Sequence, residues 1–370
     1  MKRLIMLCAV LMAVFIPAVV LAAEDDYTYT LPVVLTYDEA LALALEDIPA
    51  LQSLESRKAE LTEERGELND DYRHARRYGT DTAILRVYRR ELTELDRRIE
   101  HITLDIDIIK LRREQTLVNV LTAIANINID IETTEASIAL TTEQVRRTER
   151  MHSFGFASTN ELRIAKARLT QEEMSMENLL IAKANVVSVL NNLLGLPAYS
   201  QTYVEFERGL PEIPENLTEY IETLVMQAPT IRQIQFDVYR HREALTRHIT
   251  SYRERNTRPR RDCDECEALQ NAYEQIVLER DIAIRNMETT LRTAYSNLEQ
   301  LLNQEISARQ NLARAEDSLQ TVKTNFELGR TTQFEIDNAQ FLIFSAQQAV
   351  ERILYQQWAM VIALENPVLL

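Results

Sequence analysis

The fold is decided at residues 153–162, which read Ser153-Phe154-Gly155-Phe156-Ala157-Ser158-Thr159-Asn160-Glu161-Leu162. Gly155 is the only glycine between Gly79 and Gly195, and glycine readily takes the left-handed conformation that ends a helix. The residues after it can cap a new helix with a side-chain oxygen, namely Ser158, Thr159 and Asn160. The stretch therefore predicts the turn of a very long helical hairpin.

A second copy of this turn lies 174 residues downstream, as measured from Gly155 to Gly329, and reads Phe326-Glu327-Leu328-Gly329-Arg330-Thr331-Thr332-Gln333-Phe334-Glu335-Ile336. Near the start of the chain, an offset of 180 aligns residues 36–51 with residues 216–231, so that Pro49 meets Pro229. The sequence therefore predicts two copies of one unit, which consists of a shorter helix, a turn, a very long helix, a glycine turn and a return helix.

The composition also favours long helices, because the 370 residues include only 6 glycines and 9 prolines. From about residue 83 to residue 152 there is neither, and apolar residues recur at alternating steps of three and four. The pattern slips by four near Arg113, a stutter that relaxes a supercoil. A second apolar seam indicates either neighbours on both sides of this helix or one wider core face; it runs through Ala125, Ile129, Ala136 and Ala139.

These patterns predict an all-α fold of very long antiparallel helices with little or no β-structure. Residues 1–23 are expected to be a secretory signal peptide, since Lys2 and Arg3 precede an apolar run and a small-residue cleavage site. Residues 24–35 are expected to form a short extended arm. We assign residues 24–197 to the first repeat, 198–214 to a linker and 215–370 to the second repeat.

Charge and motif content exclude several functions. The net charge of −16 argues against a nucleic-acid partner. The sequence shows no nucleophile–base pattern, phosphate loop or dinucleotide fingerprint. We therefore predict that the chain is not an enzyme and that it has no cofactor.

Several segments together resemble the TolC family of outer-membrane efflux channels. They are residues 35–41, residues 47–51, the two glycine turns, and residues 193–197 with Gly195 and Pro197, together with the duplication itself. The resemblance implies a homotrimeric tube in the cell envelope, to which each subunit contributes four helical strands of a twelve-stranded α-barrel. It also implies that a periplasmic-type adaptor and an inner-membrane pump are partners.

The resemblance assigns roles to particular residues. The glycine turns would contact the adaptor through Phe154, Gly155, Phe156, Ser158, Leu328, Gly329, Arg330 and Thr332. Glu335 and Asp337 would lie at the tunnel entrance. The alternative for Glu335 is an ordinary carboxylate in the first turn of a helix.

The sequence departs from the family where the family inserts pairs of β-strands, between the shorter and the long helix of each repeat. Neither residues 68–90 nor residues 250–266 contain the roughly ten alternating residues of a lipid-facing strand. We expect helical tips with short turns there, which puts membrane insertion in doubt. The second tip is rich in arginine, and these side chains would contact an anionic membrane or cell-wall surface or form a solvated helix end; they are Arg253, Arg255, Arg258, Arg260 and Arg261.

Cys263 and Cys266 lie beside this tip, and in an exported protein they would form a local disulfide or remain thiols. We predict no metal site, because zinc normally needs four ligands and the chain has no second CxxC motif.

The function predicted from the sequence is a passive conduit for small molecules or peptides exported by a pump. The alternatives are a non-conducting envelope scaffold and a secreted coiled-coil binding protein.

Overall fold

The computed structural model describes residues 32–46, 48–79, 81–206, 214, 216–255 and 263–365. The described residues belong to one compact unit, Pro32–Leu370. The predicted signal peptide, residues 24–31, part of the linker, and Arg258, Arg260 and Arg261 lie outside them.

The first half of the described chain contains two short strands and four helices. They are β1 (Val33–Thr36), α1 (Tyr37–Glu46), α2 (Pro49–Arg77), α3 (Thr82–Ser153), α4 (Thr159–Leu193) and β2 (Thr202–Glu205). With 72 residues, α3 is about 110 Å long. The long helix and the return helix are where the spacing of apolar residues predicts them.

The second half has the same order of helices. They are α5 (Leu217–Gln227), α6 (Pro229–Arg255), α7 (Asp264–Glu327) and α8 (Gln333–Glu365). The all-α fold class predicted from the sequence is confirmed, with two four-residue strands as its β-structure among the described residues. No described helix is both long enough and apolar enough to cross a bilayer.

The long helices lie side by side in a row. Toward the glycine turns, α3 packs between α4 and α8, and α8 packs between α3 and α7. Toward the other end, α2 packs on α3, and α6 packs between α3 and α7. The four positions of the row are therefore occupied by α4, α3, α8 and α7 toward the glycine turns, and by α2, α3, α6 and α7 toward the other end. The long helix α3 has neighbours on both sides, which is one of the two arrangements that its second apolar seam allowed.

Each repeat buries its short helix against its long helix. In the first, Ala40 and Ala44 of α1 pack near Leu117, in a cluster that includes Trp358 of α8. In the second, Ile221 and Val225 of α5 belong to the equivalent cluster.

The alignment of the repeats shifts by one residue at the short helices. Leu51 and Ile231 are both buried, which agrees with the offset of 180. The buried positions of α1 and α5 are instead 181 apart, from Ala40 to Ile221. Two residues separate α1 from α2, whereas only Ala228 separates α5 from α6, and this difference produces the shift.

A small parallel sheet modifies the prediction for the amino-terminal arm and the linker. β1 pairs with β2 from Val33–Thr202 to Thr36–Glu205, so part of the linker is ordered against the arm. Asn191 is fully buried and holds the segment before β2: its amide donates to the Ser200 carbonyl (2.8 Å), and its side-chain oxygen accepts from Thr202 Oγ1 (2.6 Å).

Arg113, at the stutter of α3, ties two helix ends to the long helix. Its Nε donates to the Ala44 carbonyl at 2.9 Å and its terminal nitrogen donates to the Leu193 carbonyl at 2.9 Å. These carbonyls lie at the ends of α1 and α4, where the helix leaves its own carbonyls without partners. A positive charge there also suits the helix dipole.

The first predicted helical tip is present. α2 ends at Arg77 and α3 begins at Thr82, with the Asp81 carboxylate accepting from the Ala83 N–H at 2.9 Å. At the second tip, α6 continues to Arg255 and α7 begins at Asp264. Residues 256–262 between them lie outside the described residues.

Candidate functional site

The two glycine turns have the same backbone structure. Gly155 has φ +80° and Gly329 has φ +69°. At the first turn, the Gly155 N–H donates to the His152 carbonyl (2.9 Å) and the Phe156 N–H donates to the Met151 carbonyl (2.8 Å). This pair of hydrogen bonds is a Schellman motif, which satisfies the last carbonyls of a helix.

The second turn repeats both bonds. The Gly329 N–H donates to the Phe326 carbonyl and the Arg330 N–H donates to the Asn325 carbonyl, both at 2.8 Å. Each turn therefore ends one long helix in the same way and fixes the direction in which the next helix leaves.

The return helices begin with matching carboxylates. Ser158 and Glu161 form a capping box, in which the Ser158 N–H donates to Glu161 Oε2 (2.6 Å) and the Glu161 N–H donates to Ser158 Oγ (3.2 Å). The Ser158 N–H holds the pKa of the Glu161 carboxyl below its ordinary value. At the second turn, the Thr332 N–H donates to Glu335 Oε2 at 3.0 Å.

Glu335 is therefore a capping carboxylate in this structure, in the position that corresponds to Glu161. That is the ordinary first-turn role that the sequence allowed. Its contribution to a tunnel entrance stays a prediction, as does that of Asp337, which accepts a hydrogen bond from Gln333 Nε2 at 2.9 Å.

Both turns lie at one end of the row of helices. The Arg147 guanidinium of α3 lies 5.7 Å from the centre of the Phe334 ring of α8. A groove of about 830 Å³ continues between these helices, and its lining includes Arg150, Thr332 and Asp337. Ala136 and Ala139 of the second seam of α3 line the same groove.

Apolar side chains project from this end into solvent. Phe154 is 75% exposed, Phe156 is 79% exposed and Leu328 is 59% exposed. Such a cluster of exposed aromatic and aliphatic groups is typical of a protein-contact surface. The sequence did not single out Met151 and Phe326, which are 40% and 41% exposed beside the same turns; their position just before each glycine was the available signal.

The arginine-rich tip is described only in part. Arg253 is exposed near the end of α6, and the side chain of Arg255 lies outside the described residues. Two arginines earlier in α6 lie near acids of their own helix, with Arg240 2.8 Å from Asp237 and Arg247 3.9 Å from Glu243. Contact of this tip with an anionic surface stays a prediction.

The two cysteines lie at the start of α7 and are joined as a disulfide in the structure. Cys263 also caps this helix, because its sulfur accepts from the Cys266 N–H at 3.1 Å. His248 of α6 lies beside them, with its Nε2 3.4 Å from Cys263 Sγ, and the sequence did not single it out. A separation of 15 residues gave no motif by which to find it.

No protein-family model matches the sequence, and no curated protein matches it. Several solved structures do match. The outer membrane protein VceC of Vibrio cholerae aligns with a TM-score of 0.65 at 11% identity, over 90% of this chain and 96% of that one. The outer-membrane channel OprN aligns with a TM-score of 0.62 at 12% identity, over 90% and 89%.

The CmeC outer membrane channel of Campylobacter jejuni aligns with a TM-score of 0.59 at 12% identity, over 90% of this chain and 85% of that one. Likeness at such low identity concerns the fold. The resemblance to the TolC family predicted from the sequence is therefore confirmed as a shared fold: this chain folds as these outer-membrane channels do.

Proposed function

We propose that three copies of this chain close into a hollow helical tube that serves as an envelope conduit for exported molecules. The observation that carries the proposal is a second apolar face on α4, the helix at one edge of the row. At 100° per residue, one face of α4 carries four exposed apolar residues; they are Ile164, Met174, Ile181 and Val189.

Met174 and Ile181 of this face lie opposite the side of α4 that packs on α3. Ala165 and Leu190 mark the packed side, about half a helical turn away from Ile181 in projection. A helix with two opposite apolar faces needs a neighbour on each. Within the chain, α4 makes its extensive helix–helix contacts with α3 alone among the described elements, so its outer face is available to another copy.

The other edge of the row is α7. Among the described residues, α7 makes no extensive contact with α4 of the same chain. An interface between α4 of one copy and α7 of the next is a head-to-tail interface, which generates a ring when the rotation closes. Three copies with four helical strands each give twelve, the number that the family resemblance implies. Passage through such a tube is passive, and an energised pump would drive export.

We infer that the apolar cluster at the glycine turns is the surface that meets an adaptor protein. Its members are Phe154, Phe156 and Leu328, with Gly155, Ser158, Gly329, Arg330 and Thr332 setting the shape of the two turns. The Schellman motifs support this role, since they hold the exposed side chains on a rigid backbone.

The tube is tested by the mass and shape of the purified chain, measured by light scattering and negative-stain imaging with and without mild detergent. We expect a hollow trimer about 100 Å or more in length, in keeping with the length of α3. A monomer or a solid rod under both conditions would contradict the conduit and favour a helical scaffold.

The contact surface is tested separately in the native cell with a photo-crosslinking amino acid at Phe156. Tyr78 provides the matched control, because it is 70% exposed in the turn between α2 and α3, at the other end of α3. We expect a defined crosslinked product with an envelope protein from position 156 and none from position 78. Equal products from both positions, or none from position 156, would contradict the assignment.

A further inference from the structure

Three metal-ligating side chains meet where α6 and α7 face each other beside the arginine-rich tip. They are His248 of α6, Cys263 immediately before α7 and Cys266 in its first turn, and their ligand atoms all lie within 4.8 Å of one another. Cys263 is 8% exposed and Cys266 is 2% exposed. The cluster is therefore a buried pair of sulfur atoms with an imidazole beside it.

The imidazole has the orientation that a metal ligand needs. His248 Nε2 faces Cys263 Sγ at 3.4 Å, while Nδ1 lies 3.5 Å from Glu265 Oε1. Metal-binding histidines commonly donate their other ring N–H to a carboxylate, which fixes the tautomer and makes the ligating nitrogen more basic. Glu265 is near enough to accept the Nδ1–H of His248, which would leave Nε2 as the ligating nitrogen.

We propose that reduction of the Cys263–Cys266 disulfide converts this cluster into a zinc site. The oxidised pair offers no thiolate, and thiolate is the form of cysteine that binds metals. Thiol–disulfide exchange with two equivalents of a small thiol breaks the S–S bond through a mixed disulfide, forms two cysteine thiols and joins the two small thiols as their own disulfide. Zinc binding then releases one proton from each cysteine.

The donor set selects the metal. Two thiolates and one imidazole suit zinc, which takes three protein ligands and a water in tetrahedral geometry, whereas calcium and magnesium require oxygen ligands. The water would occupy the fourth position, and Glu265 would stay on Nδ1 of His248.

Zinc would connect elements that the disulfide does not. The disulfide joins two residues of one segment, three positions apart. A zinc ion would also hold His248, and hence α6, against the start of α7. The redox state of the cysteines would thereby decide whether the two helices are crosslinked at this end of the molecule.

The test uses the purified full chain with cobalt(II) as a coloured substitute for zinc. A phosphine reductant cleaves the disulfide and is oxidised to its phosphine oxide, with water supplying the oxygen and the two thiol protons. We expect the reduced chain to bind one cobalt ion per chain, with thiolate-to-metal charge-transfer absorption and intense tetrahedral bands. One equivalent of zinc should remove these bands, and the oxidised chain should show none.

Variants separate the proposed ligands from adventitious thiol binding. We expect Glu265→Gln to lower the affinity for zinc roughly 10-fold or more, and His248→Gln to lower it at least as much. The matched control is His241→Gln, two turns earlier on α6, where the ring bonds to the Asp237 carbonyl; it should bind zinc as the unaltered chain does. Circular dichroism would show that all variants remain helical.

Two results would overturn the proposal. One is a reduced chain that binds no more cobalt than the Cys263→Ser/Cys266→Ser variant. The other is a His248→Gln variant that binds zinc with unchanged affinity and unchanged spectrum, which would show that the cysteines bind metal without α6.

Discussion

At the scale of single residues, the backbone of the glycine turns is the most specific feature. Gly155 and Gly329 have positive φ angles, yet a Cβ at either position would meet no atom within 4 Å. Substitution therefore costs backbone strain alone. We expect Gly155→Ala and Gly329→Ala each to lower the free energy of unfolding by about 1–2 kcal/mol, as measured by urea denaturation.

Gly66→Ala is the control, for which we expect the free energy of unfolding to change in the opposite direction. It lies inside α2, where a Cβ also meets nothing within 4 Å and where φ is not positive. Gly66→Ala should raise the free energy of unfolding by about 0.4–1 kcal/mol, because alanine has less conformational freedom to lose in a helix. A neutral Gly155→Ala would show that the turn does not need the left-handed conformation.

At Arg113 we expect the loss of one side chain's hydrogen bonds to have a larger effect on the free energy of unfolding. Arg113→Met keeps most of the aliphatic length but removes both hydrogen bonds to the carbonyls of Ala44 and Leu193. We expect a loss of about 2–3 kcal/mol in the free energy of unfolding, since bonds from a charged donor are among the stronger ones.

The adjacent Arg112 is exposed, so Arg112→Met should change the free energy of unfolding by less than about 0.5 kcal/mol. Equal losses from the two variants would mean that charge in this region, rather than the contacts of Arg113, is what stabilises the fold.

The same residues show where sequence reasoning stops. The stutter near Arg113 was visible as a break in the heptads. The hydrogen bonds of the Arg113 side chain were not, because they reach the carbonyls of Ala44 and Leu193, 69 and 80 positions away. His248 likewise reaches Cys263 only because α6 and α7 pack together. The glycines and caps were predictable because their partners lie within a few residues.

At the scale of helices and strands, the packing of α6 on α3 includes an ion pair between Arg97 and Glu243. The Arg97 guanidinium holds the pKa of the Glu243 carboxyl below its ordinary value, chiefly by hydrogen bonding. Its stabilising effect is therefore fully present above a pH of about 4.3, the ordinary pKa of a glutamate, and is lost as the pH falls through the folded-state pKa.

A double-mutant cycle with Arg97→Ala and Glu243→Ala measures this pair. We expect a coupling free energy of at most about 1 kcal/mol at pH 7, since both side chains are about a third exposed and solvent screens them. At pH 3 the coupling should shrink. A coupling that is unchanged between the two pH values would show that the carboxylate charge has no part in it.

The helices were predictable as elements and the strands were not. Apolar spacing, glycine and proline mark the helix bounds over tens of residues. β1 and β2 have four residues each and pair across most of the first repeat, from Val33 to Thr202. A run that short has no periodicity of its own, and its stability comes from the buried Asn191 and from the partner strand.

At the scale of the whole molecule, periodicity predicts how many faces a helix buries but not which helix covers each one. The second seam of α3 was consistent with two arrangements, and only the contact with α8 decided between them. The order of the row, with α4 and α7 at its edges, follows from how the two repeats dock and has no local signature.

This order predicts which exposed apolar residues support assembly. Ile181 of α4 and Leu342 of α8 are similarly exposed, at 54% and 50%, but α4 is at an edge of the row and α8 is inside it. Ile181→Glu would place a carboxylate in the interface between copies, where an unpaired charge costs several kcal/mol. We expect this variant to remain helical by circular dichroism and to be monomeric by light scattering, and Met174→Glu to behave alike.

Leu342→Glu should assemble as the unaltered chain does. If Leu342→Glu dissociates and Ile181→Glu does not, the copies meet through the faces of the row rather than its edges, and a closed tube of this arrangement is ruled out.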